Sequence, residues 1–312
     1  MCILPRTSLI GGSLYRGSTA GYIYSLERFQ FYLYKISLFC EAVQPGYHPG
    51  TDEVYNMTAR PRGITLIINN ASFAHHPTHG QQSPRHGSEE DVRQVEALFT
   101  ALDFTVQTKR NLSRLQLLNE LDDVVYGHDH RSYDCFVLWF MSHGKSGEVF
   151  CSDGNTIPIQ SLHDLFSRCD KLSGKPKLFF IQACRGEDED EGVTACSDTG
   201  ITSYGHVNSP FDSVKNPASR EPTHADFLYA FSTVDEYVSY RDENLGSHYV
   251  RGLVEAFRER AFYDHLLDIL TVVNKKVSNM EAKRPSGENK NEIKICKQMP
   301  EVKHTLRKKV RF

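Results

Sequence analysis

From Gly63 onward, short unbroken apolar runs alternate with amphipathic stretches, a pattern that predicts βαβ units around a mostly parallel sheet. Ile64-Thr65-Leu66-Ile67-Ile68 is β-branched and continuous, as in a strand covered on both faces. Cys135-Phe136-Val137-Leu138-Trp139-Phe140 and Lys177-Leu178-Phe179-Phe180-Ile181 are too short and too uniformly apolar for surface helices, and both are read as central strands. Val92, Val95, Leu98, Phe99 and Leu102 recur at helical spacing behind Ser88, which is expected to cap the helix. A second helix is expected after Ser113, burying Leu115, Leu118, Leu121 and Val125.

Between Glu187 and His224 the periodicity gives way to the acidic run Glu187-Asp188-Glu189-Asp190-Glu191, several Gly and Ser, and Pro210, Pro217 and Pro222. Irregular segments of this length are usually functional or disordered. Order resumes at Ala225 to Phe231, followed by helical stretches around Tyr249 to Arg260 and Tyr263 to Val277. The polar segment Lys283 to Asn291, with Pro285 and Gly287, reads as an exposed loop, and a final strand is drawn from His304 to Phe312. The first fifty residues are aromatic-rich (Phe29, Phe31, Tyr32, Tyr34, Phe39), are interrupted by Arg28 and Lys35, and contain no run of the roughly 18 apolar residues a membrane span needs. They are read as a pro-region or a doubtful gene start.

Composition narrows the function. Lys+Arg 36 against Asp+Glu 39 gives a net charge of -3, with no basic field for a phosphate backbone, which argues against nucleic acid as the main partner. The eight cysteines form no C-x-x-C pair, so neither a zinc ribbon nor a disulfide framework is written in the spacing, and reduced cytosolic thiols fit better. His75, His76, His79 and His86 cluster without Cys or carboxylate at ligand spacing, and are read as a solvated loop.

The two central runs end at Ser142-His143-Gly144 and Gln182-Ala183-Cys184. A histidine and a cysteine thus emerge at strand carboxyl ends, where open α/β sheets build their sites. Amide hydrolysis needs a nucleophile, a proton donor for the leaving amine and donors for the oxyanion. Cys184 and His143 can supply the first two, resting as thiolate and imidazolium.

Gln182-Ala183-Cys184-Arg185-Gly186 is a caspase-type signature. Tyr55-Asn56-Met57, Leu66-Ile67-Ile68-Asn69-Asn70, Arg85-His86-Gly87-Ser88, Ser142-His143-Gly144, Gly174-Lys175-Pro176-Lys177 and Lys297-Gln298-Met299-Pro300 fall around it in family order. From about Val54 to Phe312 the chain resembles the caspase family. That resemblance implies a three-layer α/β fold, with a mostly parallel six-stranded sheet and helices on both faces. It also implies a pro-region over 1–52 without a recognisable death-fold domain, a large catalytic subunit over 53–198, a linker over 199–224 and a small subunit over 225–312.

The resemblance further implies Cys184 as nucleophile, His143 as acid-base, an oxyanion hole from the amides of Gly144 and Cys184, and a main-chain carbonyl near Ser83 orienting the histidine. Arg85, Gln182 and Arg241 would form a pocket for an aspartate side chain, bidentate arginine being well shaped for a carboxylate. Ser239 and Tyr240 would contact substrate, Tyr240 walling the second subsite. Asp242 would repel an acidic residue at the fourth subsite, and His248 would accept an acidic or a bulky apolar one. Processing is expected at Asp198 first, then at Asp212 and Asp52.

The expected protein is a cytoplasmic, zymogen-derived apoptotic endopeptidase without metal or cofactor, cutting protein substrates after Asp. It would work as a homodimer of large and small chains, with upstream caspases and inhibitor-of-apoptosis proteins as partners and no membrane association. Its length is executioner-like, whereas Val273 to Ser278 and Thr305 to Lys309 are initiator-like. Two alternatives stand beside it: a non-catalytic caspase homologue serving as a regulatory scaffold, and a related enzyme cutting after Arg, Lys or Asn. The pair Cys184 and His143 argues against the first, and Arg85 with Arg241 against the second.

Overall fold

The computed structural model describes residues 53–192, 222–286 and 289–312, and Asp52, Asp198 and Asp212 lie outside them. Its centre is a six-stranded sheet built from β1 (Gly63–Asn69), β2 (Thr105–Arg110), β3 (Cys135–Met141), β7 (Lys177–Gln182), β8 (Phe227–Phe231) and β13 (Glu301–His304), with the short β4 (Gly144–Lys145), β5 (Glu148–Phe150), β6 (Thr156–Pro158), β9 (Arg241–Asp242) and β10 (Gly246–Ser247) outside it. Spatial order is β13-β8-β7-β3-β1-β2. All neighbours are parallel except β13, which runs antiparallel to β8 at one edge.

β1, β3 and β7 are buried at every position, because both sheet faces are covered. Alternation along each strand sends side chains to two separate cores. Cys135, Val137, Trp139 and Met141 of β3 join Leu178 and Phe180 of β7 in one core. That core is closed by α1 (Ser88–Ala101), α4 (His248–Arg260) and α5 (Leu266–Ser278). Phe136, Leu138 and Phe140 join Phe179 and Ile181 in the other, under α2 (Arg114–Asp122) and α3 (Ile159–Ser167). Trp139 and Phe180, paired in register, stack at 4.7 Å. Each fully buried aromatic of this kind contributes about 1.5–3 kcal/mol of burial free energy.

Helix starts differ in mechanism. Ser113 accepts from the Gln116 amide while the Gln116 side chain returns to the Ser113 amide, a complete capping box. At α1 the cap is Gly87, in the left-handed region, and Ser88 is the first helical residue, its hydroxyl accepting from Asn69. The expected Ser88 cap is therefore corrected. In α2, Leu117 and Leu121 are the buried residues and Leu115 is 67% exposed, so Leu115 faces solvent against expectation.

Three further corrections concern strands. Within Lys283 to Asn291 the described residues are strand rather than loop, belonging to paired β11 (Ala282–Ser286) and β12 (Asn289–Cys296). The last strand is Glu301–His304 rather than His304 to Phe312; Lys309 beyond it makes only an isolated bridge to Val54. The acidic run is not irregular throughout, since Asp188 bridges to Tyr237 and Asp190 to Lys297. Glu189 pairs with Arg284 and Lys294 of the hairpin, and Glu191 with Lys294. No helix among the described residues is long and apolar enough to cross a membrane.

Candidate active site

Strand register places the histidine and cysteine together. Met141 pairs with Gln182 on neighbouring parallel strands, and the Ser142 amide donates to the Gln182 carbonyl at 3.1 Å. His143 and Cys184 each lie two residues beyond that pair, at the carboxyl edge of the sheet. The chains approach closely there: a Cβ on Gly144 would stand 2.5 Å from the Cys184 carbonyl oxygen and 2.9 Å from Ala183 Cβ. A Cβ on Gly186 would stand 2.0 Å from the Glu236 carbonyl oxygen, where the Glu236 amide donates to the Arg185 carbonyl at 3.2 Å and the Arg185 amide to the Tyr237 carbonyl at 3.0 Å.

Nε2 of His143 lies 2.8 Å from the Ser83 carbonyl oxygen. A carbonyl only accepts, so Nε2 carries the proton and Nδ1 is the basic nitrogen of the neutral ring. Burial, with the fields of Arg85 and Arg241, holds the His143 pKa below the ordinary value, while the bond to Ser83 acts the other way. Burial and the two cations thus disfavour the charged ring in the unliganded site. Cys184 is half-buried, and the Ser239 amide donates to its sulfur at 3.4 Å.

Arg85 is 2% exposed. Its Nη1 donates to Asn69 Oδ1 at 2.9 Å and to the Asn70 carbonyl at 3.0 Å, whereas Nε and Nη2 meet no hydrogen-bond partner among the described residues. Burial, and then the neighbouring Arg241, pull its pKa down to about 9. Arg241 spends Nε on the His86 carbonyl at 2.7 Å, and burial lowers its pKa too. The buried carboxylate of Asp91 partly compensates both cations, and it accepts from the amide and hydroxyl of Ser247. Two guanidinium groups near the thiol, one fully buried with unused donors and one half-buried, form a cationic cleft that can receive an anion.

Gln182 is buried and donates to the Ser239 hydroxyl at 2.9 Å. Gln298, also buried, holds this segment by donating to the Ser232 carbonyl and Ser239 hydroxyl and accepting from the Tyr240 amide. Tyr240 is 5% exposed, its ring 6.3 Å from His248 and beneath Arg284 of the hairpin. His248 is buried with its pKa lowered by that burial, which disfavours the charged form an acidic side chain would seek. Asp242 is exposed; the amides of Asn244 and Leu245 hydrogen-bond its carboxylate and hold its pKa low.

Arg185, next to the nucleophile candidate, is buried against Phe231 and bonded to Glu301 and the Thr233 carbonyl. The structure thus brings Cys184, His143, Gly144, Arg85, Gln182, Ser239, Tyr240 and Arg241 to one edge of the sheet. It adds Asn69, Asp91, Ser247 and Gln298 as supports to which sequence reasoning gave no role. Asn69 and Gln298 sit inside quoted motifs, a usable signal, but Asp91 and Ser247 are 156 residues apart and carry none. Among the described residues no three potential metal ligands converge.

Comparison with known proteins agrees with this geometry. Caspase-8 of Mus musculus is 37% identical over 273 residues, covering 84% of this chain and 53% of that protein, so the chain spans about half of that relative. Caspase-7 of Gallus gallus is 35% identical over 222 residues, covering 70% and 68%. The crystal structure of caspase-1 from Spodoptera frugiperda superposes with a TM-score of 0.71 at 28% identity, over 86% of this chain and 95% of that one. The family model of the caspase domain matches residues 62–311, and the chain belongs to the caspase family.

Proposed function

We propose that the chain is a cysteine endopeptidase that cleaves proteins after aspartate. The observation that carries this reading is Arg85: a buried guanidinium with two unpartnered nitrogens beside Arg241, next to a Cys-His pair. Desolvated cations of this kind favour a carboxylate and penalise an isosteric amide. Gln182 supports the same pocket. The Ser239 hydroxyl can donate as well as accept, so with the Gln182 amide turned over Ser239 satisfies Oε1, now unpartnered. Both Gln182 amide N–H groups are then free for the substrate carboxylate.

In the reaction, His143 Nδ1 takes the Cys184 thiol proton as Sγ bonds to the scissile carbonyl carbon. The carbonyl π pair moves onto oxygen, facing the amides of Gly144 and Cys184. The oxyanion collapses, the C–N bond breaks, and Nδ1–H protonates the departing amine. Water then enters, gives a proton to Nδ1 and adds to the thioester, and Cys184 leaves reprotonated. No third carboxylate is needed, because the Ser83 carbonyl holds Nε2–H in place.

Family membership supports the wider reading of a zymogen cut within residues 193–221, at Asp198 or Asp212, with Asp52 marking removal of the pro-region. It also supports a homodimer acting in the cytoplasm during programmed cell death. The test uses peptide reporters identical except for Asp, Asn, Lys or Ala before the scissile bond, with Cys184→Ala as control. Turnover confined to Asp and to the wild type is expected; folded, processed protein without it would overturn the assignment. Mass spectrometry of both samples locates the cut, and equal cutting in Cys184→Ala would exclude self-processing.

A further inference from the structure

The histidine's acceptor and the buried arginine belong to one tripeptide, Ser83-Pro84-Arg85. At one end the Ser83 carbonyl accepts from His143 Nε2. At the other, Arg85 is fixed by its amide on the Ala71 carbonyl at 2.9 Å and its side chain on Asn69 and Asn70. Proline locks its own φ and restricts the preceding residue to extended conformations, so Pro84 limits the directions in which the Ser83 carbonyl can point. Pro84 and Ser83 are exposed and lie in no helix or strand, so nothing in the core dictates a proline there. Backbone rigidity is what it contributes.

We propose that Pro84 is a positioning residue, coupling the arginine that receives the substrate carboxylate to the histidine that moves the proton. The inference rests on the roles given to Arg85 and His143 above. With Pro84 in place, the Ser83 carbonyl cannot swing without moving Arg85, so a carboxylate that locks Arg85 also locks the His143 ring. Without it, Arg85 still binds the carboxylate, but the ring loses its fixed acceptor. The signature is a loss in kcat rather than in binding, together with a lower His143 pKa, because the bond to Ser83 raises that pKa.

The test compares wild type, Pro84→Ala and Pro84→Gly in the processed enzyme. Steady-state kinetics on an Asp reporter are combined with binding of an Asp-terminated product peptide and NMR titration of His143. Alanine should lower kcat and glycine should lower it further, by about tenfold or more as expected for misplaced catalytic groups. The His143 pKa should fall in the same order and peptide affinity should change by less than about threefold. If glycine fails to fold, the alanine comparison stands on its own. Unchanged kcat and His143 pKa would overturn the proposal, as would a kcat loss matched by an equal loss of peptide affinity or tracking only a drop in melting temperature. Absence of Asp-specific turnover in the wild type would instead sink the enzyme reading.

Discussion

Asp91 in the first turn of α1 accepts two hydrogen bonds from Ser247, 2.7 Å from its amide and 2.5 Å from its hydroxyl. The pair anchors the segment that carries Arg241 to the helix that follows Arg85. Ser247→Ala leaves a buried carboxylate with one donor fewer. The expected cost is about 1.5–3 kcal/mol, the range for a hydrogen bond to a charged group, read as a lower urea midpoint. The KM for Asp reporters should rise as Arg241 loosens.

Arg85→Lys keeps the charge and removes the planar fork. A lysine cannot hold Asn69 and Asn70 and also present two further donors to a carboxylate. The value of kcat/KM on an Asp peptide should fall by about 2–5 kcal/mol of transition-state binding, while the Asn analogue, already poor, should change little. Parallel progress curves on the two peptides check this, and a preserved Asp-over-Asn ratio would contradict it.

The acid limbs of the pH profiles should separate. In the free enzyme burial and two cations depress the His143 pKa, so the neutral base persists below the usual histidine range and kcat/KM keeps its acid limb there. A substrate carboxylate between Arg85 and Arg241 cancels part of their field, raising the His143 pKa in the complex. The kcat limb should therefore lie at higher pH than the kcat/KM limb. NMR titration of His143 in Cys184→Ala, with and without an Asp-terminated peptide, measures the shift directly.

Glu301→Gln weakens the principal partner of Arg185, whose side chain is 6% exposed against 29% for Glu301. Full burial would make the loss about 3–5 kcal/mol, but partial exposure of the glutamate and the remaining bond to the Thr233 carbonyl reduce it to about 1–3 kcal/mol. Thermal unfolding of the processed enzyme reports it. A fall in kcat beyond the change in folded fraction would show that Arg185 also steadies Cys184.

How far the sequence foretold the structure depends on burial. β1, β3 and β7 were legible because both faces are covered, which leaves unbroken apolar runs. β2 (TVQTKR) and β13 (EVKH) are edge strands with half-exposed residues, and no hydrophobic pattern announces them. The β11–β12 hairpin is polar because its cations face Glu189 and Glu191, so it resembled a loop. Leu115 misled because a helix of this length admits two apolar stripes, and only packing chooses between them. At the candidate site, the convergence of Cys184, His143, Arg85 and Arg241 follows from ordered motifs at strand ends, whereas Asp91 and Ser247 become partners only once the chain has folded.

The outermost position of β13 gives Glu301 a second significance. One edge of that strand is paired with β8, and among the described residues the opposite edge has no sheet neighbour, the kind of edge on which sheets extend. Glu301 holds Arg185, and Arg185 is covalently joined to Cys184. The strand at the sheet's outer boundary and the residue beside the sulfur therefore share one ion pair, which ties the sheet's edge to the carboxyl end of β7.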